Sequence, residues 1–342
     1  MKKILIGLAA VSLLLAGCSG SGSSGSAGSS DSSSITLGLT FIPNVQFAPV
    51  YVAEHEGYFE DAGLDVTIRH HGSQESLLGA VQSGEEDIVF AGGDEMMQGR
   101  AAGTDIVNWA TMYQQYPVKL IVPSDSDIES PEDLAGGTVG LPGPYGENYF
   151  GLLAMFNASG IDESSVNVQY VGYTQAAALS SGDVDAVIGF SNSDLVSIAA
   201  TLGADTAASP EEWPVRTISL VEGDLPLIGV GLGSLQENLD AREADYVKIL
   251  GAIEKGVTFA EDHPEEALDI TASYVPDLAE PENREVAATT LNQTLALYSG
   301  GSVFGEQDVE AWDAMAEFMW ENDLLDTQVS ADDAFIDLSA NL

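Results

Sequence analysis

The stretch Ile35-Thr-Leu-Gly-Leu-Thr-Phe-Ile-Pro-Asn-Val-Gln-Phe-Ala-Pro-Val-Tyr-Val-Ala53 decides the fold class of this chain. Its first part, residues 35–41, carries the apolar and β-branched side chains of a strand. Pro43 and Asn44 interrupt the pattern, and residues 45–56 then predict a helix that ends at Gly57. A short strand followed at once by a helix is the repeating unit of an α/β fold.

The same alternation continues through two units and then gives way to a helical tail. In the first unit we predict strands at 64–69, 87–91, 106–112 and 118–122, and helices at 74–82 and 94–102. The pattern restarts at Pro131, with predicted strands at 138–142, 166–171, 186–190, 214–221 and 225–232, and helices at 145–158, 176–181 and 194–202. The tail has predicted helices at 237–262, 264–274, 282–298 and 308–322. About 300 residues in two α/β units and a helical tail are enough for one large domain or for two lobes.

The N-terminus has the pattern of an exported protein. Lys2 and Lys3 precede an apolar run of about a dozen residues, which is too short to span a bilayer. Leu15-Ala16-Gly17-Cys18 closes that run and resembles a bacterial lipobox. The resemblance implies a signal peptide at residues 1–17, lipidation at Cys18 and a location on the extracytoplasmic face of the cell membrane. An ordinary secretory signal is the alternative.

Residues 18–34 are almost wholly Ser and Gly. Such a segment has no apolar surface to bury and behaves as a flexible coil. We interpret it as a tether between the membrane and the folded part.

The charge excludes several kinds of partner. The chain has 10 Lys and Arg against 54 Asp and Glu, a net charge of −44. Nucleic-acid backbones need basic residues, so a nucleic-acid partner is not expected. Anionic lipid is disfavoured for the same reason, which leaves the lipid anchor as the only expected membrane contact.

We expect this acidic chain to become more stable as salt screens its self-repulsion. Lysine is nearly absent, and the acids are dispersed along the chain. Equal thermal unfolding midpoints in low and molar salt would contradict an adaptation to high external salt.

Several stretches together resemble the NMT1/THI5-like family, the extracytoplasmic solute-binding proteins of ABC transporters that take up thiamine precursors, riboflavin, nitrate or sulfonates. The resemblance lies in residues 41–53, 56–59, 62–66, 83–88, 91–95 and 128–140. Residues 82–91 also resemble residues 179–188 of the same chain: each stretch has the pattern of a helix, a glycine turn, an acidic residue and a short strand. A common helix-to-strand connection, in which glycine supplies the left-handed cap, explains each copy.

This resemblance implies a type II periplasmic-binding-protein fold, in which two α/β lobes are joined by two hinge strands around a ligand cleft. Lobe one would comprise residues 35–122 and 223–342, and lobe two residues 123–222, with the crossings near 120–124 and 221–228. A permease and an ATPase subunit are the implied partners, the class is usually monomeric, and no enzymatic activity or cofactor is expected.

Ligands of open α/β sheets lie beyond the carboxyl ends of strands, so we take candidate binding residues from those positions. Aromatic rings there would stack on a flat ligand, amides would both donate and accept, and glycines would let backbone approach closely. The candidates are Phe41, Asn44, Phe47, Gly92, Gly93, Asp94, Glu95, Tyr113, Gln114, Tyr145, Glu147, Tyr173 and Asn192. For Phe41 and Phe47 a place in the core, and for Asp94 a helix cap, are equally good interpretations.

The chemistry of this set favours a neutral or weakly basic heteroaromatic ligand with many N–H or O–H donors. A thiamine pyrimidine precursor and riboflavin both fit. The carboxylate pair Asp94 and Glu95 argues against a small anion such as nitrate or a sulfonate, which prefers arginine or an acid-free helix N-terminus.

Two other classes of site are weaker. A lipid-anchored hydrolase remains an alternative, but no catalytic motif supports it. The four histidines lack the spacing of a metal site, so no metal is expected. The thiamine-pyrimidine synthases of this fold hold iron through a cysteine- and histidine-rich segment, and the single cysteine here is Cys18.

Overall fold

The computed structural model describes residues 33–72, 75–221, 225–299 and 301–342. The predicted signal peptide, Cys18 and most of the predicted tether lie outside these residues. Ten strands and twelve helices follow one another in the described residues. The strands are β1 (Ser33–Leu39), β2 (Leu64–His70), β3 (Ile88–Gly92), β4 (Ile106–Thr111), β5 (Val118–Pro123), β6 (Thr138–Leu141), β7 (Asn167–Tyr170), β8 (Ala186–Phe190), β9 (Val215–Ile218) and β10 (Val230–Leu235).

The helices follow the strands in the order expected of α/β units. They are α1 (Ala48–His55), α2 (Tyr58–Asp61), α3 (Gly79–Ser83), α4 (Gly93–Ala101), α5 (Gly146–Ser159), α6 (Gln175–Ser181), α7 (Asp194–Thr201), α8 (Gln236–Asp262), α9 (Pro264–Thr271), α10 (Pro281–Leu297), α11 (Val309–Glu321) and α12 (Ala331–Ala334). No helix of the described residues is both long and apolar enough to cross a membrane.

The strands form two five-stranded sheets. The first has the order β2-β1-β3-β10-β4 and the second the order β7-β6-β8-β5-β9. In each sheet one strand runs against its neighbours: β10 is antiparallel to β3 and β4, and β5 is antiparallel to β8 and β9. The chain thus leaves the first sheet after β4, builds the second, and returns to insert β10 into the first.

Apolar side chains on both faces of each sheet form the cores. In the first, Trp109 of β4 stacks on Tyr246 of α8, with ring centroids 5.2 Å apart, and both rings are buried. The second sheet packs its strands against α5 on one face and against α6 and α7 on the other. Burial on both faces explains why β3, β4 and β8 are almost continuous apolar runs.

The structure corrects several predicted boundaries. Strand β1 begins at Ser33, which pairs with Leu64, so the last two residues of the predicted tether belong to the first sheet. Residues 120–123, predicted as a crossing, lie inside β5, and the chain passes between sheets at 112–117 instead. Helix α3 starts at Gly79, five residues later than predicted, and the predicted start, Gln74, lies outside the described residues.

Strand β10 is also shifted. The sequence predicts an extended segment at 225–232, whereas the strand covers Val230–Leu235. Its glycines suit the close approach of neighbouring backbone: a Cβ at Gly231 would lie 2.6 Å from the carbonyl oxygen of Ala110. Glycines weaken the sequence signal of a strand, which explains the displaced prediction.

Candidate functional site

A cleft of about 960 Å³ lies where the strand ends of the two sheets meet. Its first wall is formed by the segments after β1 and β3, and its second wall by the segments after β6, β7 and β8. Such crevices beyond the carboxyl ends of strands are the usual ligand sites of α/β sheets. The volume is in the range of clefts that hold drug-sized molecules.

An aromatic pair connects the two walls at the cleft. Phe41, after β1, meets Tyr173, after β7, in an edge-to-face contact with ring centroids 4.7 Å apart. The Phe41 backbone is held in turn by His70, whose Nδ1 lies 3.0 Å from the Phe41 carbonyl oxygen and whose Nε2 lies 2.9 Å from the Tyr51 hydroxyl. The position of this ring therefore depends on contacts made by β2 and α1.

Asn44 caps a turn and also lines the cleft. Its Oδ1 accepts a hydrogen bond of 3.1 Å from the backbone N–H of Gln46 and so caps the short 3₁₀ turn Val45–Phe47. The residue also lines the cleft. Since Oδ1 is engaged by the cap, donation to a ligand would fall to Nδ2.

Three carboxyl groups at the cleft, Asp94, Glu95 and Glu147, form a cluster, hereafter the acid cluster; Glu95 and Glu147 line the cleft, and Asp94 lies behind its lining. Asp94 and Glu95 are in the first turn of α4, and Glu147 is in the first turn of α5. Both walls of the cleft therefore contribute to it. Gly146, at φ 75°, begins α5, and a Cβ there would lie 2.7 Å from Glu95 Oε1, so only glycine suits this approach.

Each carboxyl group of the acid cluster has a distinct environment. Asp94 is fully buried, and its Oδ1 accepts from the Glu95 N–H at 2.7 Å. Glu95 Oε2 accepts from the Gly92 N–H at 2.8 Å. Glu147 Oε1 is buried and has no hydrogen-bond partner among the described residues.

Burial is the main cause of raised pKa values throughout the acid cluster. It raises the pKa of Asp94 and Glu147 well above the usual range, and neighbouring carboxyl groups add to both shifts. Burial also raises the pKa of Glu95 to about 7, against hydrogen bonds from the backbone of Gly92 and Glu147. On the same cleft, burial raises the pKa of Asp194 to about 6. The cluster accepts hydrogen bonds when ionised and donates them when protonated, which suits a ligand rich in N–H or O–H groups.

Nine of the thirteen predicted binding residues line the cleft. They are Phe41, Asn44, Phe47, Gly92, Glu95, Tyr113, Tyr145, Glu147 and Tyr173. Phe47 and Tyr113 are almost wholly buried and pack edge-to-face on Phe90, so they also belong to the core. Contact of these nine with a ligand stays a prediction.

The other four predicted residues lie outside the cleft lining, each for a local reason. Gly93 is packed so tightly that a Cβ there would lie 2.6 Å from Ile228. The carboxyl group of Asp94 faces Tyr116, and its Oδ2 lies 2.7 Å from the phenol oxygen. The remaining two amides are used inside the protein: Gln114 Nε2 donates to the carbonyls of Thr111 and Glu306, and Asn192 Nδ2 donates to Thr294 on α10.

The structure adds lining residues that the sequence analysis did not select. Among them are His71, Asn148, Ser193 and Asp194. Ser193 and Asp194 come directly after Asn192, which the sequence analysis selected because it follows the predicted strand at 186–190. The same strand-end position could therefore have identified them. No local sequence pattern marks His71 as a cleft residue. It lines the cleft, and its Nε2 lies 2.8 Å from Oε1 of buried Glu86. Within the ranges that the structure describes, no group of His, Cys, Asp or Glu is arranged to hold a metal ion.

Solved structures show which class of fold this is. The chain resembles the periplasmic aliphatic sulphonate binding protein SsuA from Escherichia coli with a TM-score of 0.68 and 18% identity, covering 88% of this chain and 96% of that one. A Candida albicans protein described as having the generic periplasmic binding protein structural fold aligns with a TM-score of 0.53 and 14% identity, over 84% of this chain and 95% of that one. The two sheets with their crevice are therefore a periplasmic-binding-protein fold.

The sequence places the chain more narrowly. The family described as NMT1/THI5 like matches residues 44–267, and the chain belongs to this family. The predicted family is thus confirmed.

Individual relatives include both binding proteins and an enzyme. The chain is 28% identical to the riboflavin-binding protein RibY of Chloroflexus aurantiacus, over 88% of this chain and 84% of that protein. It is 26% identical to the formylaminopyrimidine-binding protein of Halalkalibacterium halodurans, over 97% of both. It is 23% identical to the 4-amino-5-hydroxymethyl-2-methylpyrimidine phosphate synthase of Legionella pneumophila, over 76% of this chain and 79% of that enzyme.

Proposed function

We propose that this protein is the substrate-binding component of an ABC importer and captures a vitamin-related heteroaromatic molecule, either a thiamine pyrimidine precursor or riboflavin. The observation that carries the proposal is the cleft, where an aromatic pair and the acid cluster meet between the strand ends of two sheets. The relatives named for riboflavin and formylaminopyrimidine binding support the same ligand class.

The aromatic and acidic parts of the cleft suit different parts of such a ligand. Rings at Phe41 and Tyr173 offer apolar faces and edges to a flat heterocycle. Glu95 and Glu147 offer carboxyl oxygens to ring N–H, amino or hydroxyl groups. The unpartnered Glu147 Oε1 supports this assignment, because a buried polar atom without a partner costs free energy that a ligand donor would recover.

The acid cluster also weighs against the alternative of a small-anion binder. A nitrate or sulfonate brought beside Asp94, Glu95 and Glu147 would be repelled whenever any of them is ionised. The likeness to SsuA from Escherichia coli supports the fold. At 18% identity it carries no argument about which ligand this chain binds.

The proposed mechanism is closure of two lobes around the ligand. Lobe one would be built on the first sheet and lobe two on the second, with the hinge in the segments that connect the sheets. The lobe boundary expected between residues 122 and 123 therefore moves ahead of β5, because residues 118–122 belong to the second sheet. Ligand binding shifts the population towards the closed form, which the permease and its ATPase subunit then select. We propose a monomer that binds without turnover, anchored to the extracytoplasmic face of the cell membrane through Cys18.

Thermal unfolding with candidate ligands tests this function. A ligand at a hundredfold excess over its Kd stabilises the folded state by about 2.7 kcal/mol. We expect riboflavin or a formylamino- or hydroxymethyl-pyrimidine to raise the unfolding midpoint and to be recovered intact. Recovery of a converted product would establish an enzyme instead, and stabilisation by nitrate or sulfonates alone would establish an anion binder.

Removing either ring of the aromatic pair should weaken ligand binding. We expect Phe41→Ala and Tyr173→Ala each to raise the Kd about tenfold, since the lost stacking and apolar contact correspond to about 1.4 kcal/mol. Tyr170→Ala is the matched control, because Tyr170 is 54% exposed on β7 and lies outside the cleft lining. Equal Kd values for all three variants would place the ligand elsewhere.

A further inference from the structure

Tyr116 lies in the segment that connects the two sheets, and its hydroxyl contacts both sides of the acid cluster. The phenol oxygen is 2.7 Å from Oδ2 of Asp94, on the helix that follows β3 of the first sheet. It is also 2.9 Å from the carbonyl oxygen of Glu147, on the helix that follows β6 of the second sheet. Both are normal distances for O–H···O hydrogen bonds.

These two contacts need two protons, and the phenol supplies one. If Asp94 were ionised, Tyr116 would donate to it, and the phenol and Glu147 carbonyl oxygens would face each other at 2.9 Å without a proton. If Asp94 is protonated, both contacts are satisfied. The carboxyl O–H then donates to the phenol oxygen, and the phenol O–H donates to the Glu147 carbonyl.

We propose that Asp94 is a proton-holding positioning residue, whose protonated carboxyl fastens the two lobes in the closed cleft through the chain Asp94 O–H to Tyr116 O–H to Glu147 carbonyl. This inference goes beyond ligand capture and rests only on the closing of the two lobes. The sequence analysis selected Asp94 as a ligand contact or a helix cap, and the structure gives it a partner in the connecting segment instead.

Burial and neighbouring acids favour the protonated form of Asp94, against hydrogen bonds from Tyr116 and from the Glu95 backbone N–H that favour the carboxylate. Glu95 from its own helix and Glu147 from α5 are acids, and burial in this cluster raises the pKa of Asp94. The connecting segment contributes the phenols of Tyr116 and Tyr113, and Tyr173 approaches Glu95 from lobe two. Helix α12 packs near α4, and its two acids, Asp332 and Asp333, are exposed. Helix α11 contributes the uncharged indole of Trp312 next to Gly93.

The sign of the resulting pH dependence follows from where the proton is held. In an open cleft water solvates the carboxylate, and its pKa is ordinary; in the closed cleft the pKa is raised. Closure therefore takes up a proton, is favoured at lower pH, and weakens as pH rises through the raised pKa. Between the two pKa values the closure equilibrium falls by up to about tenfold per pH unit.

Infrared spectroscopy of the ligand-free protein, in which Phe41 and Tyr173 already join the two walls of the cleft, tests the protonation directly. We expect a protonated-carboxyl band at neutral pH that loses one component in Asp94→Asn, while Glu95 and Glu147 still contribute to it, and that is unchanged in Asp313→Asn, an exposed acid on α11. Tyr116→Phe should shift the Asp94 component to higher frequency, because the carboxyl O–H loses its acceptor. An identical band in wild type and Asp94→Asn, or no such band in wild type, would overturn the proposal.

A pH series of riboflavin affinity tests the consequence for closure. Asn at position 94 has the shape of a protonated Asp and donates to the phenol through Nδ2 at every pH. We expect the wild-type Kd to rise with pH, and Asp94→Asn to reduce that slope by up to about tenfold per pH unit. Equal slopes would refute the role of Asp94. If riboflavin does not bind, the proposed ligand is in question, while the infrared result still decides the protonation of Asp94.

Discussion

Gly256→Ala is expected to destabilise the protein severely, because helix α8 crosses α1 at this glycine with no room for a methyl group. A Cβ at Gly256 would lie 2.1 Å from the carbonyl oxygen of Pro49 and 3.4 Å from the N of Ala53. Both are backbone atoms of α1, so no side-chain rotation relieves the clash, and the helices must separate. Overpacking of a core costs about 1–3 kcal/mol and occasionally more, and we expect the upper end here.

We expect the same clash to change the shape of the cleft. Helix α1 starts at Ala48, directly after the turn that contains Asn44 and Phe47. Displacing α1 therefore moves one wall of the binding site, and Gly256→Ala should weaken ligand binding as well as folding. Thermal unfolding and ligand titration of the variant measure the two effects separately.

Gly251→Ala is the matched control, because it removes a glycine from the same helix at a site with space. A Cβ there would meet only Leu342 Cδ2, at an ordinary contact distance of 3.4 Å. Alanine is a better helix former than glycine by about 0.8–1.0 kcal/mol, so this variant should be as stable as wild type or more stable. Equal loss of stability in both variants would contradict the assigned packing of α8 on α1.

Cys18→Ser is expected to move the protein from the membrane to the soluble extracytoplasmic fraction. Acyl chains contribute about 0.8 kcal/mol per buried methylene, which is the only membrane attraction we assign to this chain. Its net charge of −44 opposes any direct contact with anionic lipid. Without lipidation nothing offsets that repulsion, so the relocation should be almost complete.

Cell fractionation and fatty-acid labelling measure this effect. The wild-type protein should incorporate label and sediment with membranes, and Ser19→Ala, one residue beyond the lipobox, should behave in the same way. An unlabelled wild-type protein in the soluble fraction would show that residues 1–17 are an ordinary secretory signal.

Strand ends were the part of the site that sequence could predict. Phe41, Asn44 and Glu147 each follow a strand whose apolar pattern is clear, and the carboxyl ends of such strands converge in an α/β fold. The α/β class followed from the same regularity and needed only local patterns and the chain order. The periplasmic-binding-protein fold was implied by the family resemblance.

Side-chain direction in the connecting segment could not be predicted. Gln114 and Tyr116 are two residues apart in the same short stretch. Yet Gln114 turns to the carbonyls of Thr111 and Glu306, while Tyr116 turns to Asp94 and Glu147. These partners lie up to 192 residues away in the chain, so no local pattern encodes the choice. Asn192, which bonds to Thr294 on α10, differs from its prediction for the same reason.

Fluorescence titration of the purified protein with riboflavin, and then with formylamino- and hydroxymethyl-pyrimidines, tests the central claim most directly. We predict saturable binding at micromolar or lower concentration, seen as quenched flavin emission for riboflavin or as a tryptophan response for a pyrimidine, and weakened in Tyr173→Ala. No change in flavin or tryptophan fluorescence with any of these ligands would contradict the assignment of the cleft to a vitamin-related heteroaromatic.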